Sequence, residues 1–581
     1  MILSPAPERG ASLILIEGGL TAIAIAVAFC CPRLGSGFFS RIERAFTRLA
    51  RKQGLAVATT GITALLLRLA LLPLNPIPHP FIHDDFSFLL AADTFASGRL
   101  TNPTPAMWMH FESFHITMTP TYMSMYFPAQ GLVMAAGKLL LGHPWFGILG
   151  VTSLMCAAIC WMLQAWLPPT WALLGGMLAI LRLGLFSYWI NSYTGGGSVA
   201  ALGGALVLGS FPRLMRTPRL RLSLLMTVGI IMLAMSRPYE GMLLCLPVAF
   251  VLGRWLLFGE NRPTAAVFRR CTAAPLALIL AAGAWMAYYD YRAFGDPLIQ
   301  PYKINRATYA VAPHFVWQAP HPEPVYRHPV MRKFYAGWEL DGYLRIHTLS
   351  GFLTETLYKL MRATFFFAGI VLLPPLLMLK RVLADRRTRF LVLCVFILAA
   401  GMLIETWLIP HYLSPFTAAF YALGLQAMRH LRLWSPAGQP VGLEIVRLIV
   451  MTCIVLTGLR AFAQPLHLTL AQASNPSSYW YGSRDFGERR AQIEARLEQL
   501  PGRQLVIVRY PPSHLPFDEW VYNAADIDNS KVVWSREMDP ANNLALMHYY
   551  KDRKVWLVQP DKEPVEVTPY AVSEQETASL R

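Results

Sequence analysis

Two adjacent carboxylates mark the stretch of this chain best suited to chemistry. It is His83-Asp84-Asp85-Phe86-Ser87-Phe88-Leu89-Leu90-Ala91-Ala92-Asp93, running on to Ser97-Gly98-Arg99-Leu100. The acids come just after an apolar run, so each has an apolar floor and a poorly solvated charge. Such a carboxylate serves as a base or is held ionised by a cation or a metal. Phe88, Leu89, Ala92 and Phe95 share one helical face, which predicts an amphipathic helix over 86–97 lying on the membrane. The acid pair would sit at its N-terminal end, where the helix dipole favours negative charge. Asp is also a preferred N-cap, so Asp84 or Asp85 as a mere cap is an equal alternative.

Other residue groups invite the same double reading. His110-Phe111-Glu112-Ser113-Phe114-His115 has metal-binding residue types without the spacing of a helical His-Glu-x-x-His site, and reads as a polar loop with interfacial aromatics. No metal is assigned on this basis. If a divalent cation takes part, His83, Asp84, Asp85 and Glu112 are the residues to hold it. Residues 301–345 carry Tyr302, Tyr309, Phe315, Trp317, Tyr326, Phe334, Tyr335, Trp338 and Tyr343. Their rings suit either interface packing or a lid over a sugar acceptor. Thr194-Gly195-Gly196-Gly197-Ser198 suits close helix approach or a turn with free N–H groups. Glu17 and Glu405 lie in apolar runs, where carboxylates are functional candidates; helix pairing is the reading for Glu17.

The elements that must position these groups are set by composition. The chain has 581 residues, 55% of them hydrophobic and 15% charged, and its mean hydropathy is +0.39. Charge is depleted against the roughly 25% of soluble domains. That excludes a disordered chain, a coiled coil and an ordinary cytosolic enzyme. It predicts a mainly α, polytopic membrane bundle. Candidate spans fall at 11–30, 54–74, 145–165, 169–187, 195–211, 222–236, 239–257, 271–290, 362–379, 390–408, 412–428 and 444–463. With these twelve, the basic clusters at 33–52, 213–221, 254–270, 380–389 and 429–432 all fall on one side, which is then the cytoplasm. Residues 128–141 are read as a helix at the outer interface, because counting them as a span would turn the 213–221 cluster outward. The net charge of +17 thus needs no nucleic-acid partner. All eight cysteines lie in apolar stretches, which argues against a disulfide framework, and there is no Cys/His zinc pattern. Residues 11–30 end in Ala28-Phe29-Cys30, a poor cleavage site, and read as an uncleaved anchor.

Three units follow. Residues 1–53 form an anchor span and a basic cytoplasmic loop. Residues 54–463 form the membrane domain, with large outer loops at 75–144 and 291–361. Residues 464–581 form a small outer α/β domain, with strand-like runs at Leu505–Tyr510, Lys531–Trp534 and Val555–Val558 and a helix-like stretch at Glu488–Leu500. The tail lacks a glycine-rich phosphate loop and reads as a packing or docking domain.

The acid pair Asp84-Asp85, with Phe88 three positions after the second acid and Gly98 fourteen after the first, resembles the first outer loop of the GT-C glycosyltransferases. That superfamily includes protein O-mannosyltransferases and lipid A aminoarabinose transferases. Tyr126-Phe127-Pro128-Ala129-Gln130-Gly131, running to Gly142-His143-Pro144, resembles the family's next element, and Pro410-His411-Tyr412-Leu413-Ser414-Pro415 a late helix start. The likeness covers roughly 54–430. It implies transfer of a sugar from a polyprenyl-phosphate donor to an extracytoplasmic glycolipid, polysaccharide or protein. It implies Asp84 as base or acceptor-positioning group, with Asp85 assisting. Arg237, Lys303, Arg306 and His411 become candidates to neutralise the departing phosphate, with membrane-interface anchoring as the alternative for each. Tyr302, Tyr126 and Trp317 become candidates for stacking on sugar. Two departures stand out. The second acid is Asp where the family commonly has Glu. Phe127 stands where aminoarabinose transferases have a lysine before the proline.

The implied partners are a lipid-linked sugar donor and membrane lipids. The implied location is a bacterial inner membrane, with the site and the C-terminal domain outside the cytoplasm. Competing readings are a transporter or flippase of lipid-linked sugars and an envelope scaffold. A transporter should show repeated halves with broken helices, and no such repeat is seen.

Overall fold

The computed structural model describes residues 12–470, 480–482 and 487–570. The chain is a helical membrane protein with a small α/β unit near its C-terminus. Among the described residues, seven helices are long and apolar enough to cross a bilayer: Leu13–Cys30, Gln53–Ala70, Trp145–Trp166, Gly197–Arg216, Pro238–Phe258, Ala265–Phe294 and Val441–Ala461. Three further spans expected from sequence are shorter single helices, Leu220–Ala234, Arg389–Leu403 and Thr417–Arg432. The run at 169–187 is a helix, Pro169–Ala179, that loosens into a π-turn over Ile180–Gly184. Pro128–Leu141 is a separate 14-residue helix, too short to span unaided.

The run at 362–379 differs from the expectation of one continuous span. Helix Leu349–Phe367 ends inside it, and a 3-10 turn, Pro374–Met378, follows. Pro374 and Pro375 cannot continue an α-helical ladder, and Gly369 sits at φ +62°. The freed backbone groups have partners. Arg182 Nε donates to Phe366 O at 3.0 Å. Glu17 Oε1 accepts from the N–H groups of Ile370 and Val371 at 3.0 and 3.1 Å. Glu17 therefore does more than pair helices: it ties the first span to this break.

The first outer loop carries a three-stranded sheet of β1 (Asn102–Pro103), β2 (Ile116–Thr117) and β3 (Thr121–Ser124), ordered β1-β3-β2 and antiparallel. The C-terminal unit is a four-stranded sheet of β4 (Arg503–Val508), β5 (Val532–Arg536), β6 (Arg553–Gln559) and β7 (Glu566–Pro569), ordered β5-β4-β6-β7. Pairs β4/β5 and β4/β6 are parallel, and β7 is antiparallel to β6. The period-2 alternation of β4 sends Val506 and Val508 towards helix Glu488–Gln499, through Ile493 and Leu497. Leu505 and Ile507 face the other way, into a core shared with Leu90, Phe111, Ile116 and Tyr122 of the first outer loop. The tail thus packs on the loop that carries the acid pair.

That packing changes the surroundings of the acidic helix. It spans His83–Ala96, and Phe86, Leu90, Ala91 and Ala92 are all buried. Phe88 and Ala92 meet Met134, Trp145 and Tyr193, while Phe86 stacks on Tyr522 of the C-terminal unit at 4.7 Å. The expected helix lying open on the membrane is in fact covered on both sides. Sequence periodicity missed this because both faces are apolar, one towards the bundle and one towards the tail.

Candidate active site

The two aspartates have different neighbours and different geometry. Ile82 is the N-cap of the acidic helix, and Asp85 stands at N3. Asp85 Oδ2 accepts from the N–H groups of Phe81 and Ile82 at 3.1 and 3.4 Å. Its Oδ1 accepts from Tyr193 N–H at 2.9 Å. Only 2% of Asp85 is exposed. Burial pushes its carboxyl up to about 7, against the pull of the backbone N–H groups. The capping alternative therefore belongs to Asp85, which faces away from the cavity described below.

Asp84, one residue earlier, points the other way. Its Oδ1 accepts from the Tyr126 hydroxyl and lies 2.7 Å from His115 Nδ1. Every hydrogen bond it accepts from described residues falls on Oδ1, which leaves Oδ2 to the cavity. Burial alone would raise its pKa, but the facing His115 and His83 outweigh that and hold the carboxyl well below the ordinary range. Phe88 supports Tyr126 by stacking at 4.4 Å with the rings 7° apart. Gly98 closes the helix at φ +71°, a left-handed position that glycine adopts without a Cβ penalty.

His115 is the residue the sequence reading left in a polar loop. It sits at φ +58°, a sparsely populated region for a bulky side chain. Its carbonyl accepts from Ser87 Oγ at 2.6 Å and Met125 N–H at 3.0 Å, and these bonds hold it there. His83 Nδ1 lies 3.1 Å from His115 Nδ1. One atom each from His83, Asp84 and His115 lie within 4.8 Å of one another. Two imidazole nitrogens and a carboxylate oxygen converging so closely fit a divalent cation. Asp85 and Glu112, the other two residues expected for such a site, are not part of this group. Asp85 is committed to backbone, and Glu112 accepts from Tyr309 at 2.8 Å on the side facing Arg327.

Asp84, His115 and Tyr126 line a cavity of about 2160 Å³ between the membrane helices, the outer loops and the C-terminal unit. Arg237 reaches it from the start of helix Pro238–Phe258. The guanidinium donates to Gly195 O at 2.9 Å and lies 4.7 Å from the centre of the Tyr412 ring. Gly195 is required there: a Cβ would stand 2.4 Å from His411 Nδ1. The glycine run thus serves close approach.

His411 also lines the cavity. Its backbone N–H donates to the Tyr188 hydroxyl oxygen at 3.0 Å, and that hydroxyl stands 2.8 Å from Nδ1. Tyr188 thus anchors both the backbone and the ring of His411, through Nδ1. Burial, with Arg237 nearby, keeps the ring well below its ordinary pKa. His411 is therefore neutral and not a cation.

The remaining candidates divide. Helix Pro301–Tyr309 turns Tyr302 and Arg306, four residues apart, into the cavity. Lys303 falls on the opposite, exposed face and does not line it, so the expected phosphate contact has no geometry here. Arg306 lines the cavity but is engaged. Its Nη1 meets both oxygens of Glu339, at 2.7 and 2.9 Å, and its Nη2 donates to Ala312 O at 2.7 Å. Trp317 is 63% exposed, stacked on Phe315, and outside the lining. Tyr126 spends one ring face on Phe88.

Sequence reading missed two cations. Lys359 and Arg362 project into the cavity from helix Leu349–Phe367, whose outer side exposes Leu353, Leu357 and Leu360. Arg362 Nη1 donates to Leu408 O at 2.9 Å, while its buried Nε has no partner among described residues. The signal was a pair of cations three residues apart beside an apolar face, hidden by a loop boundary drawn at 361. Glu405 lies beyond the end of its helix, not within a span. There it meets His314 Nε2 at 2.6 Å, and segments 314–316 and 404–406 pair as strands.

No family model and no curated protein matches the chain. Among solved structures, it is similar to ArnT from Cupriavidus metallidurans in the apo state, at 13% identity over 86% of this chain and 93% of that one, with a TM-score of 0.47. It is also similar to ArnT from the same organism bound to undecaprenyl phosphate, at 12% identity over 87% and 92%, with a TM-score of 0.42. A third is the Archaeoglobus fulgidus oligosaccharyltransferase tethered to an acceptor peptide, at 11% identity over 86% and 68%, with a TM-score of 0.44.

Proposed function

We propose that this protein is an integral membrane glycosyltransferase that moves a sugar from a polyprenyl-phosphate-linked donor to an acceptor outside the cytoplasm. One observation carries the reading: Asp84, ionised and with one free oxygen, shares a single cavity with the guanidinium of Arg237. The volume exceeds the roughly 300–1,000 Å³ of ordinary ligand pockets, which suits two substrates at once.

In this reading Asp84 Oδ2 accepts the proton of the acceptor's hydroxyl or amine. The freed lone pair forms the new bond to the anomeric carbon. The bond from that carbon to the phosphate oxygen breaks, and its electron pair leaves on the lipid phosphate. Arg237 and Arg362 offset that growing charge. Helix Leu349–Phe367 carries leucines outward and cations inward, which suits a carrier whose tail stays in lipid. His83, Asp84 and His115 would hold a divalent cation, which when bound supplies further positive charge beside the carboxylate. The scaffold alternative needs Asp84 to cap its helix, and Asp85 has that role.

The division into residues 1–53, 54–463 and 464–581, the outward orientation and the inner-membrane location belong to the same proposal. The test is mass spectrometry of envelope glycans and glycolipids from a strain lacking the protein, complemented with wild type or Asp84→Asn. The expected result is one glycan modification restored by wild type and not by the variant at equal membrane abundance. Full restoration by Asp84→Asn removes Asp84 as the base.

A further inference from the structure

Between the first two membrane-length helices lies the helix Ser36–Arg51. Arg41, Arg44, Arg48 and Arg51 recur at spacings of three and four, which puts all four on one face. Phe38, Ile42, Ala45 and Leu49 follow the same spacing on the adjoining face. The helix thus has an arginine side and an apolar side. Its flanking helices end at Cys30 and begin at Gln53, so it is held at a membrane surface.

Its orientation is fixed by the protein. Ala50 is fully buried, in a cluster with Ala56, Cys160 and Leu173 that Phe46 and Leu49 border. Glu43 accepts from Arg447 Nε at 2.9 Å and lies 3.8 Å from Arg432. These contacts take one edge of the helix. They leave Phe38 and Ile42 exposed at 59% and 47%. They also leave the four arginines without an acidic partner within 4.0 Å among described residues, around a shallow pocket that Ser40, Thr47 and the Arg447-bound Glu43 help line. A row of unpaired guanidinium groups beside exposed apolar side chains matches the boundary between lipid headgroups and acyl chains.

We infer that the helix Ser36–Arg51 is a binding site for anionic phospholipid headgroups, seated by Phe38 and Ile42 in the acyl layer. The ligand chemistry is the phosphodiester of a membrane lipid. Arginine forks match its oxygens, and the apolar edge has no use in binding a free anion. The site is independent of the cavity and of the transferase reading.

The experiment places the full chain in nanodiscs of equal phosphatidylglycerol and phosphatidylcholine, then counts retained lipids by native mass spectrometry. Wild type should retain phosphatidylglycerol in excess, and high salt should erode that excess. Replacing Arg41, Arg44, Arg48 and Arg51 together by Gln should cut the excess on the order of tenfold, while the four Lys replacements keep most of it. Gln at Arg216, Arg219 and Arg221, another basic cluster, should leave it unchanged. Equal retention of both lipids by wild type overturns the inference, even if the quadruple Gln variant does not accumulate. So does an unaltered excess in that variant, or an equal loss in the control cluster.

Discussion

Two carboxylates in this molecule, Glu519 and Asp84, differ in what their surroundings leave over. At the junction of the C-terminal unit with the first outer loop, Glu519 and Arg536 are almost wholly buried. Glu519 accepts from Arg536, Ser113, Tyr510 and the N–H groups of Trp520 and Val521. Arg536 in turn donates to Glu112 O at 2.7 Å. At the cavity, Asp84 Oδ2 accepts no hydrogen bond from described residues. A buried carboxylate with both oxygens spent inside the protein, as in Glu519, holds pieces together. A charge with unspent capacity facing a cavity is available to a ligand. The same residue types thus give a fastener in one place and a site in the other.

The sharpest test of that contrast is Asp84→Asn against Glu519→Gln. Asp84→Asn should cut transfer by about 10²–10⁴, the usual worth of a positioned base, with an unchanged melting temperature in detergent. Glu519→Gln strands a buried guanidinium and should cost about 3–5 kcal/mol in stability, seen as a lower melting temperature and faster proteolysis of the tail. If Asp84→Asn melts early while Glu519→Gln does not, the contrast is wrong.

Arg237→Gln and Lys303→Gln divide the cavity from its exterior. Removing the guanidinium that faces the proposed leaving phosphate should slow transfer by about 10–100-fold, or roughly 1.4–2.7 kcal/mol. Lys303→Gln, on the exposed side of its helix, should leave the rate within about twofold, as surface substitutions do. Asp85→Asn falls lower. It leaves one backbone N–H bond unmade and should cost about 1–2 kcal/mol of stability, with a smaller loss of transfer than Asp84→Asn.

How much of this was legible beforehand depends on the physical range of each signal. The acid pair could be found because an aspartate after an apolar run is costly wherever the chain folds. The choice of Asp84 over Asp85 came from the family resemblance and not from local physics, because Asp85 is decided by the N–H of Tyr193, a contact over a long sequence separation. Position at span ends was enough to put Arg237 and His411 at the cavity wall, whereas helix phase, which position does not give, turns Lys303 outward. Helix Pro540–Tyr549 was unread because Asp539-Pro540-Ala541-Asn542-Asn543 has turn composition. In the structure Asp539 caps that helix by accepting from Asn542 N–H at 3.1 Å, and Pro540 suits its first turn. The broken span at 362–379 is dominated by apolar residues after Arg362, so hydropathy alone could not show it. The paired prolines were the only local sign.

The smallest effect concerns the fastener's dependence on pH. His328 is buried at the same junction, with Nε2 bonded to Met109 O at 2.8 Å. Burial, reinforced by the nearby Arg536, pushes its pKa down to about 3 from 6.5. The folded form therefore stays neutral while the unfolded chain binds a proton below pH 6.5. Stability is whole above that value and falls as pH drops towards 3, by at most about 1.4 kcal/mol per unit. His110, also buried here and bonded to Arg536 O at 3.1 Å, is shifted down by the same burial. Hydrogen-exchange protection factors over residues 108–115 and 326–332, corrected for the intrinsic pH dependence of exchange, should thus fall between pH 6.5 and 5 in wild type. His328→Gln should reduce that pH slope without removing it, since burial also shifts His110 down. An unchanged slope would mean that the junction is loose enough for water to reach His328, and that the contrast between a sealed fastener and an open cavity is one of degree.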